Sequence, residues 1–301
     1  MPFFTVDEIE EAAGLVYRHM KPTPQYAWPL LSERAGATVW VKHENHTPTG
    51  AFKVRGGITF IDWLKRTHPT SPGIVTATRG NHGQSQARAA TAAGLIEFGS
   101  DFDEAKVEAM RLAAVEGLFP VPPFHRELAR GVATYALELF SEARDLDTVY
   151  VPIGCGSGIC GVIAVRDALG LATEVVGVVS TEAQGAKLSF EAGKLIETNS
   201  ANTIADGMAV RVPVQEAFDI YSKGASRIVA VSDDEIAEAM RILYRDTHNL
   251  AEGAGAAALA ALLKEKDTIR GKKVGIILSG GNVDLPLFAR ILTGDLNKPA
   301  Q

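Results

Sequence analysis

Short β-branched runs alternate with longer helical patterns along the 301 residues, and this alternation limits the fold more than any other feature. Strands are predicted at 38–44 (TVWVKHE), 73–78 (GIVTAT), 95–99 (LIEFG), 148–153 (TVYVPI), 174–181 (EVVGVVST) and 273–279 (KVGIILS). Helical patterns occupy 57–66, 81–94, 101–117, 158–170, 232–247 and 253–265. The helix at 101–117 has an acidic first turn and a glycine stop, and Ser232 opens the one at 232–247. Apolar strands separated by helices form mostly parallel sheets covered on both faces, so the fold class is α/β. With 46% hydrophobic residues the chain can bury a large core in one or two domains. A net charge of -6 and the lack of a basic run argue against nucleic acid or an anionic membrane surface as partner. No apolar segment is long enough to span a bilayer, and the acidic start MPFFTVDEIEE is unlike a signal peptide, so a cytoplasmic protein is expected. Cys155 and Cys160, the only cysteines, share one glycine-rich loop and give neither a disulfide framework nor a zinc set.

Four segments carry candidate chemistry. In TPTGAFKVRGG (47–57), Lys53 lies between Phe52 and Val54, with Gly50, Gly56 and Gly57 close by. An isolated loop lysine is ordinarily a surface residue. Apolar neighbours disfavour its cation and free the amine for Schiff-base chemistry, and the glycines would let backbone approach a ligand. In TATRGNHGQS (76–85), Gly80, Asn81 and His82 would present backbone N–H groups at a helix start, a seat for a carboxylate or phosphate; equally, Asn81 could simply cap the helix. In VPIGCGSGICG (151–161), backbone amides can close around a phosphate. Gly156, Gly158 and Gly161 also fit G-x-G-x-x-G, with Glu182 roughly 20 residues on, so a nicotinamide-dependent oxidoreductase is a rival. In LSGGNVD (278–284), Ser279 follows a buried strand and could offer its hydroxyl to a ring nitrogen. His43, His46, His125 and His248 show no metal-ligand spacing.

In this order and at these separations, FKVRGG, GNHGQ, GCGSG and SGGN resemble the fold type II pyridoxal-phosphate enzymes, in particular the threonine/serine dehydratase branch to which the serine racemases also belong. TIADGMAV (203–210) is similar to the family's ADG segment, and the resemblance covers nearly the whole chain. It implies two open twisted, mostly parallel sheets of the tryptophan synthase β-like kind. A large cofactor-binding domain would comprise 1–71 and 129–301, with a small substrate-closing domain, 72–128, inserted. It implies pyridoxal 5′-phosphate as cofactor, a small amino-acid substrate and a homodimer. Lys53 would hold the cofactor as a Schiff base and act as the catalytic base. Phe52 would flank the ring, Asn81 would meet the phenolic oxygen, and Ser279 the pyridine nitrogen. Gly154, Cys155, Gly156, Ser157 and Gly158 would bind the phosphate. Thr78, Arg79, Gly80, Asn81 and His82 would surround the substrate carboxylate. The implied reaction is β-elimination of water from a β-hydroxy-α-amino acid to an enamine, which ends, by hydrolysis, as a 2-oxo acid and ammonia. Threonine or serine is the default substrate, and 3-phenylserine or a hydroxyaspartate a bulkier option.

The chain departs from the family pattern in several places. Arg79 stands where dehydratases usually have alanine and serine racemases a serine, which makes racemisation the lesser alternative; Thr78 replaces a common serine. Glu182 matches an acid of the racemases' divalent-metal site, but Lys187 and Leu188 occupy the region of its downstream partner, so no metal is expected. AAGL (92–95) runs directly into IEFG (96–99), where relatives have a further strand and helix; the expectation is a shortened small domain or, preferred, a segment lacking from the sequence. Few residues follow Asp284, so no regulatory domain and a catabolic role are expected. A non-catalytic amino-acid-binding protein on the same scaffold is the remaining rival.

Overall fold

The computed structural model describes residues 2–78, 80–90 and 102–295; Arg79 and the 95/96 junction lie outside them. In chain order the elements are α1 (Val6–Val16), β1 (Gln25–Ala27), α2 (Pro29–Ala35), β2 (Thr38–His43), α3 (Lys53–Thr67), β3 (Ile74–Val75), α4 (Asn81–Ala90), α5 (Phe102–Glu116), β4 (Phe119–Pro120) and α6 (Arg126–Glu142). They continue with β5 (Thr148–Pro152), α7 (Ser157–Ala168), β6 (Glu174–Ser180), α8 (Gly185–Ala192), α9 (Gln215–Gly224), β7 (Arg227–Val231), α10 (Asp233–Thr247), α11 (Gly253–Lys264), α12 (Lys266–Ile269), β8 (Lys273–Leu278) and α13 (Leu285–Thr293).

Among the described residues the main sheet has the order β1-β2-β8-β5-β6-β7. All its pairings are parallel except the β1–β2 edge. Its strands are buried runs, such as Val149, Tyr150 and Val151 in β5 and Ile276, Ile277 and Leu278 in β8, because helices cover both faces. One face carries α2, α10 and α11; the other carries α6, α7 and α9. Helix α11 is buried from Gly253 to Leu262, which explains its alanine-rich, nearly charge-free sequence. A second, two-stranded parallel sheet pairs β3 with β4. Phe60, Ile61 and Leu64 of α3 form a separate apolar cluster beneath it with Val121 and Leu128.

The predicted α/β alternation holds, with differences of local cause. The strand expected at 73–78 shrinks to Ile74–Val75, after which the Thr76 hydroxyl turns to the Val121 carbonyl. The 57–66 helix starts earlier, at Lys53. The strand expected at 95–99 falls outside the described residues. Residues 126–142, to which the sequence pattern assigned no element, form α6. Gly131 interrupts its apolar pattern because a Cβ there would lie 2.3 Å from the Arg55 carbonyl of α3.

Helices α3 and α6 meet around a buried ionic cluster. The Arg55 guanidinium is fully buried and forks onto two carboxylates. Nε and Nη2 donate to Glu44 at 2.7 and 2.9 Å, and Nη1 and Nη2 donate to Glu138 at 2.6 and 2.9 Å. Nη1 also donates to the Thr134 hydroxyl. Lys42 Nζ donates to Glu138 at 2.5 Å and to the Thr23 carbonyl at 2.8 Å. Two cations thus face two anions, and the oxygens are hydrogen-bonded, the condition for burying such groups. Burial pulls the Lys42 amine below its ordinary value despite Glu138. Burial also opposes the Glu138 carboxylate, but the Arg55 and Lys42 charges hold it below its ordinary 4.5. Glu138 therefore contributes stability that is complete above pH 4.5 and is lost as pH falls through its lower folded value. Arg55→Leu leaves Lys42 as the one cation of this cluster against two buried carboxylates and should lower unfolding free energy by about 3–5 kcal/mol in urea titrations; a change below about 1 kcal/mol would contradict the account.

Candidate active site

Strand β8 lies between β2 and β5, so the segments leaving the carboxyl ends of all three converge at one edge of the sheet. After β2 the chain reaches Phe52 and Lys53, after β8 Ser279, and after β5 the glycine loop. The segments are stitched together: Phe52 N–H donates to the Ser279 carbonyl at 3.0 Å, and Gly281 N–H to the Gly50 carbonyl at 2.9 Å. The resulting cleft is lined by Phe52, Lys53, Asn81, His82, Ser279 and the whole of 154–158. Thr78 and Gly80 are not in its lining.

The loop after β5 is shaped for close approach. Gly156 has φ +99°, a left-handed value that suits glycine, and α7 then opens at Ser157 with no side chain capping its first N–H groups. A Cβ on Gly154 would stand 2.2 Å from the Gly207 carbonyl, so the loop and the 206–208 turn touch through backbone. The Tyr135 hydroxyl of α6 donates to the Gly158 carbonyl at 3.0 Å, and its ring meets Phe52 edge-on with centroids 6.1 Å apart. Burial pushes the Cys155 thiol up, so it stays protonated at neutral pH.

The start of α4 departs from a simple cap. The Thr78 hydroxyl accepts the N–H groups of Gly80 (3.0 Å) and Gly83 (2.9 Å). That frees Asn81, whose Nδ2 donates to Glu252 Oε1 at 2.7 Å while its Oδ1 accepts from Asn282 Nδ2 at 2.7 Å. His82 beside it is driven to about 3 by burial, with Lys53 adding to the effect, so its ring is neutral. Its Nε2 is buried without a hydrogen-bond partner. Glu252, the residue before α11, was not singled out in the sequence. Burial raises its carboxyl to about 7, against Lys53 and the Asn81 hydrogen bond, which favour the anion. The one signal was a lone acid ahead of the apolar helix GAGAAALAALL.

The glycines beside Lys53 serve a different purpose from the one expected. A Cβ on Gly57 would lie 2.4 Å from the Ser85 hydroxyl, and one on Gly56 would lie 2.5 Å from the Leu128 carbonyl. Gly50, at φ +69°, would meet the Asn282 side chain at 2.4 Å. They let α3 pack against α4 and α6 and fix the loop, although Gly56 also reaches the cleft. Gly161 likewise brings α7 onto the Ala133 backbone of α6. Glu182 is exposed after β6, and its N–H is taken by the Ser180 hydroxyl.

A lysine, a neutral ring, an amide and a helix-start glycine loop around one cleft define a site for an anionic, carbonyl-bearing cofactor. The comparisons with known proteins agree. A family profile described as "Pyridoxal-phosphate dependent enzyme" matches residues 16–98 and 90–280, two stretches that overlap across the 95/96 junction. The L-threonine ammonia-lyase of Thermotoga maritima is 32% identical over 320 aligned positions, covering 98% of this chain and 79% of its own. The L-threo-3-hydroxyaspartate ammonia-lyase of Saccharomyces cerevisiae is 29% identical, covering 98% of each. Among solved structures, maize serine racemase superposes with a TM-score of 0.88 at 26% identity, covering 97% of this chain and 98% of its own. The processed threonine deaminase isoform 2 of Solanum lycopersicum gives 0.87 at 25%, covering 98% and 93%. The chain belongs to the pyridoxal-phosphate dependent enzymes of fold type II, in the threonine/serine dehydratase family. Its cofactor is pyridoxal 5′-phosphate. The residues fit that group: the loop at 154–158 offers uncapped amides to a phosphate, Lys53 an amine to a carbonyl, and Ser279 a hydroxyl to a ring nitrogen.

If the 154–158 loop holds the phosphate, Gly154→Ala forces the loop off the Gly207 carbonyl. Its dissociation constant for pyridoxal 5′-phosphate, titrated on apoenzyme, should rise by at least tenfold (about 1.4 kcal/mol). Unchanged affinity would remove the loop from the cofactor site.

Proposed function

We propose that the protein is a lyase that eliminates water from a β-hydroxy-α-amino acid; the enamine so formed becomes an imine, which takes up one water to give a 2-oxo acid and ammonia. The observation that carries this reading is the convergence of Lys53, Asn81, the 154–158 loop and Ser279 on one cleft. Bound pyridoxal phosphate supplies the electron sink that makes the substrate Cα–H acidic. Lys53 Nζ would anchor the cofactor at rest and, once the substrate amine has taken its place and left it a free amine, would take the proton from Cα. Phe52, held edge-on by Tyr135, bounds the ring site. Ser279 presents a hydroxyl rather than a carboxylate, so this chain supplies no anion there to hold a proton on the ring nitrogen, which favours loss of the β-leaving group over transamination. The first turn of α4, including His82, faces the substrate carboxylate, and Arg79 precedes it in sequence.

Threonine and serine are the first substrates, and a hydroxyaspartate or 3-phenylserine the bulkier candidates. The relatives named for L-threonine and L-threo-3-hydroxyaspartate support both ends of that range. Racemisation is disfavoured because Arg79 replaces the serine that would work on the opposite substrate face. Residues 72–128 form the domain that closes over substrate, inserted in a large domain of 1–71 and 129–301. The assembly is a homodimer, and the location is cytoplasmic. Among the described residues no helix is long and apolar enough to cross a membrane.

Purified holoenzyme should show a visible absorption band that changes with β-hydroxy amino acids, and a substrate panel should release 2-oxo acid and ammonia in equal amounts. Lys53→Ala should abolish both the band and turnover. Normal turnover by that variant, or spectral change without ammonia release from any substrate, would refute the assignment; the latter is the signature of a binding protein.

A further inference from the structure

We propose that Glu252 is a positioning residue for the cofactor site, whose carboxylate locks the Asn81 amide in one orientation and whose protonation releases it. The proposal rests on the cofactor reading above, in which Asn81 meets the phenolic oxygen. An asparagine amide can rotate by half a turn and exchange a donor for an acceptor. Here both ends are held. Glu252 Oε1 can only accept from Nδ2 when ionised, and Asn282 Nδ2 can only donate to Oδ1. Asn282 is itself anchored, donating to the Thr49 carbonyl at 2.8 Å. Asn81 therefore keeps its second Nδ2 hydrogen available to the cleft, the donor that a phenolic oxygen needs. With Glu252 protonated, its hydroxyl can donate as well as accept, and the amide loses that constraint and the charge-assisted bond.

The carboxyl is tightly enclosed. A Cβ on Gly280 would stand 2.5 Å from Glu252 Oε1, so any larger residue beside Ser279 would displace the carboxylate. Glu252 itself lines the cleft with Lys53. The charged groups facing it are Lys53 of α3, which favours the anion, and Asp206 of the 206–208 turn, which opposes it. Asn81 from α4 and the Asn282 backbone N–H also favour the anion, and His82 of α4 is neutral. With its ordinary 4.5 raised to about 7, Glu252 titrates in the neutral range: the amide is locked above that value and released below it. A merely structural glutamate in this place would leave any pH dependence of the cofactor's spectrum the same in Glu252→Gln as in wild type.

The test compares wild type, Glu252→Gln and Glu252→Ala as full-length proteins, with folding checked by circular dichroism. Visible spectra of the holoenzymes are recorded across the neutral range, and apoenzymes are titrated with pyridoxal 5′-phosphate. The wild-type spectrum should show a pH-dependent transition that reports the protonation of Glu252. Glu252→Gln, which keeps the volume and an acceptor, should retain cofactor within about threefold and lose the transition. Glu252→Ala should weaken cofactor binding roughly tenfold. The same transition in Glu252→Gln, or wild-type affinity and spectrum in Glu252→Ala, overturns the proposal. Failure of wild type to take up cofactor at all would instead overturn the reading on which it rests.

Discussion

The buried pairing of Arg55 with Glu44 and Glu138 is the constraint on which the rest of the site depends. Arg55 lies two residues after Lys53 on the first turn of α3, Glu44 directly follows β2, and Glu138 belongs to α6. None of the three can leave the cluster without stranding a charge in the apolar interior, which costs far more than the pair gains over water. The forked guanidinium satisfies both carboxylates at once, which a lysine ammonium could not do with the same geometry. The position of the Lys53 helix relative to the sheet is therefore set by charge balance, and the glycines at 56 and 131 supply the close α3–α6 contacts that the cluster requires.

The sheet order then assembles the remaining parts. Because β8 inserts between β2 and β5, chain segments more than two hundred residues apart leave the sheet side by side. Helices α3, α4, α7 and α11 all begin at this cleft, at Lys53, Asn81, Ser157 and Gly253. Helix N-termini carry partial positive charge and unpaired N–H groups, so the cleft favours anions such as a phosphate and a substrate carboxylate. The carboxylate placed there, Glu252, is the exception, and its carboxyl is correspondingly easy to protonate.

Much of this was readable from residue order. The alternation of β-branched and helical runs predicted the α/β class, and the buried strands β2, β5, β6 and β8 fall within a residue or so of the predicted spans. Lys53, Asn81, 154–158 and Ser279 were all candidates and all line one cleft. Other features were not readable for identifiable reasons. Helix α6 was hidden because Gly131 looks like a breaker until α3 is packed against it. The edge strand β1 is only three residues long and gains its meaning from pairing with β2. Glu252 resembles an ordinary acid before a helix, and its burial arises from Gly280 and Asn81, both distant in sequence.

The sequence by itself determined the fold class, the candidate lysine and the glycine loop, because each depends on local chemistry: side-chain periodicity, a lysine between apolar neighbours, and backbone freedom at consecutive positions. Only the tertiary structure decided which partners those groups meet. It added close helix contacts to the glycines around Lys53, gave the capping task to Thr78 instead of Asn81, and brought Glu252 to the Asn81 amide. These outcomes depend on which segments a parallel sheet sets side by side and on which charges the packed interior can neutralise, and neither is encoded within the span of a single element.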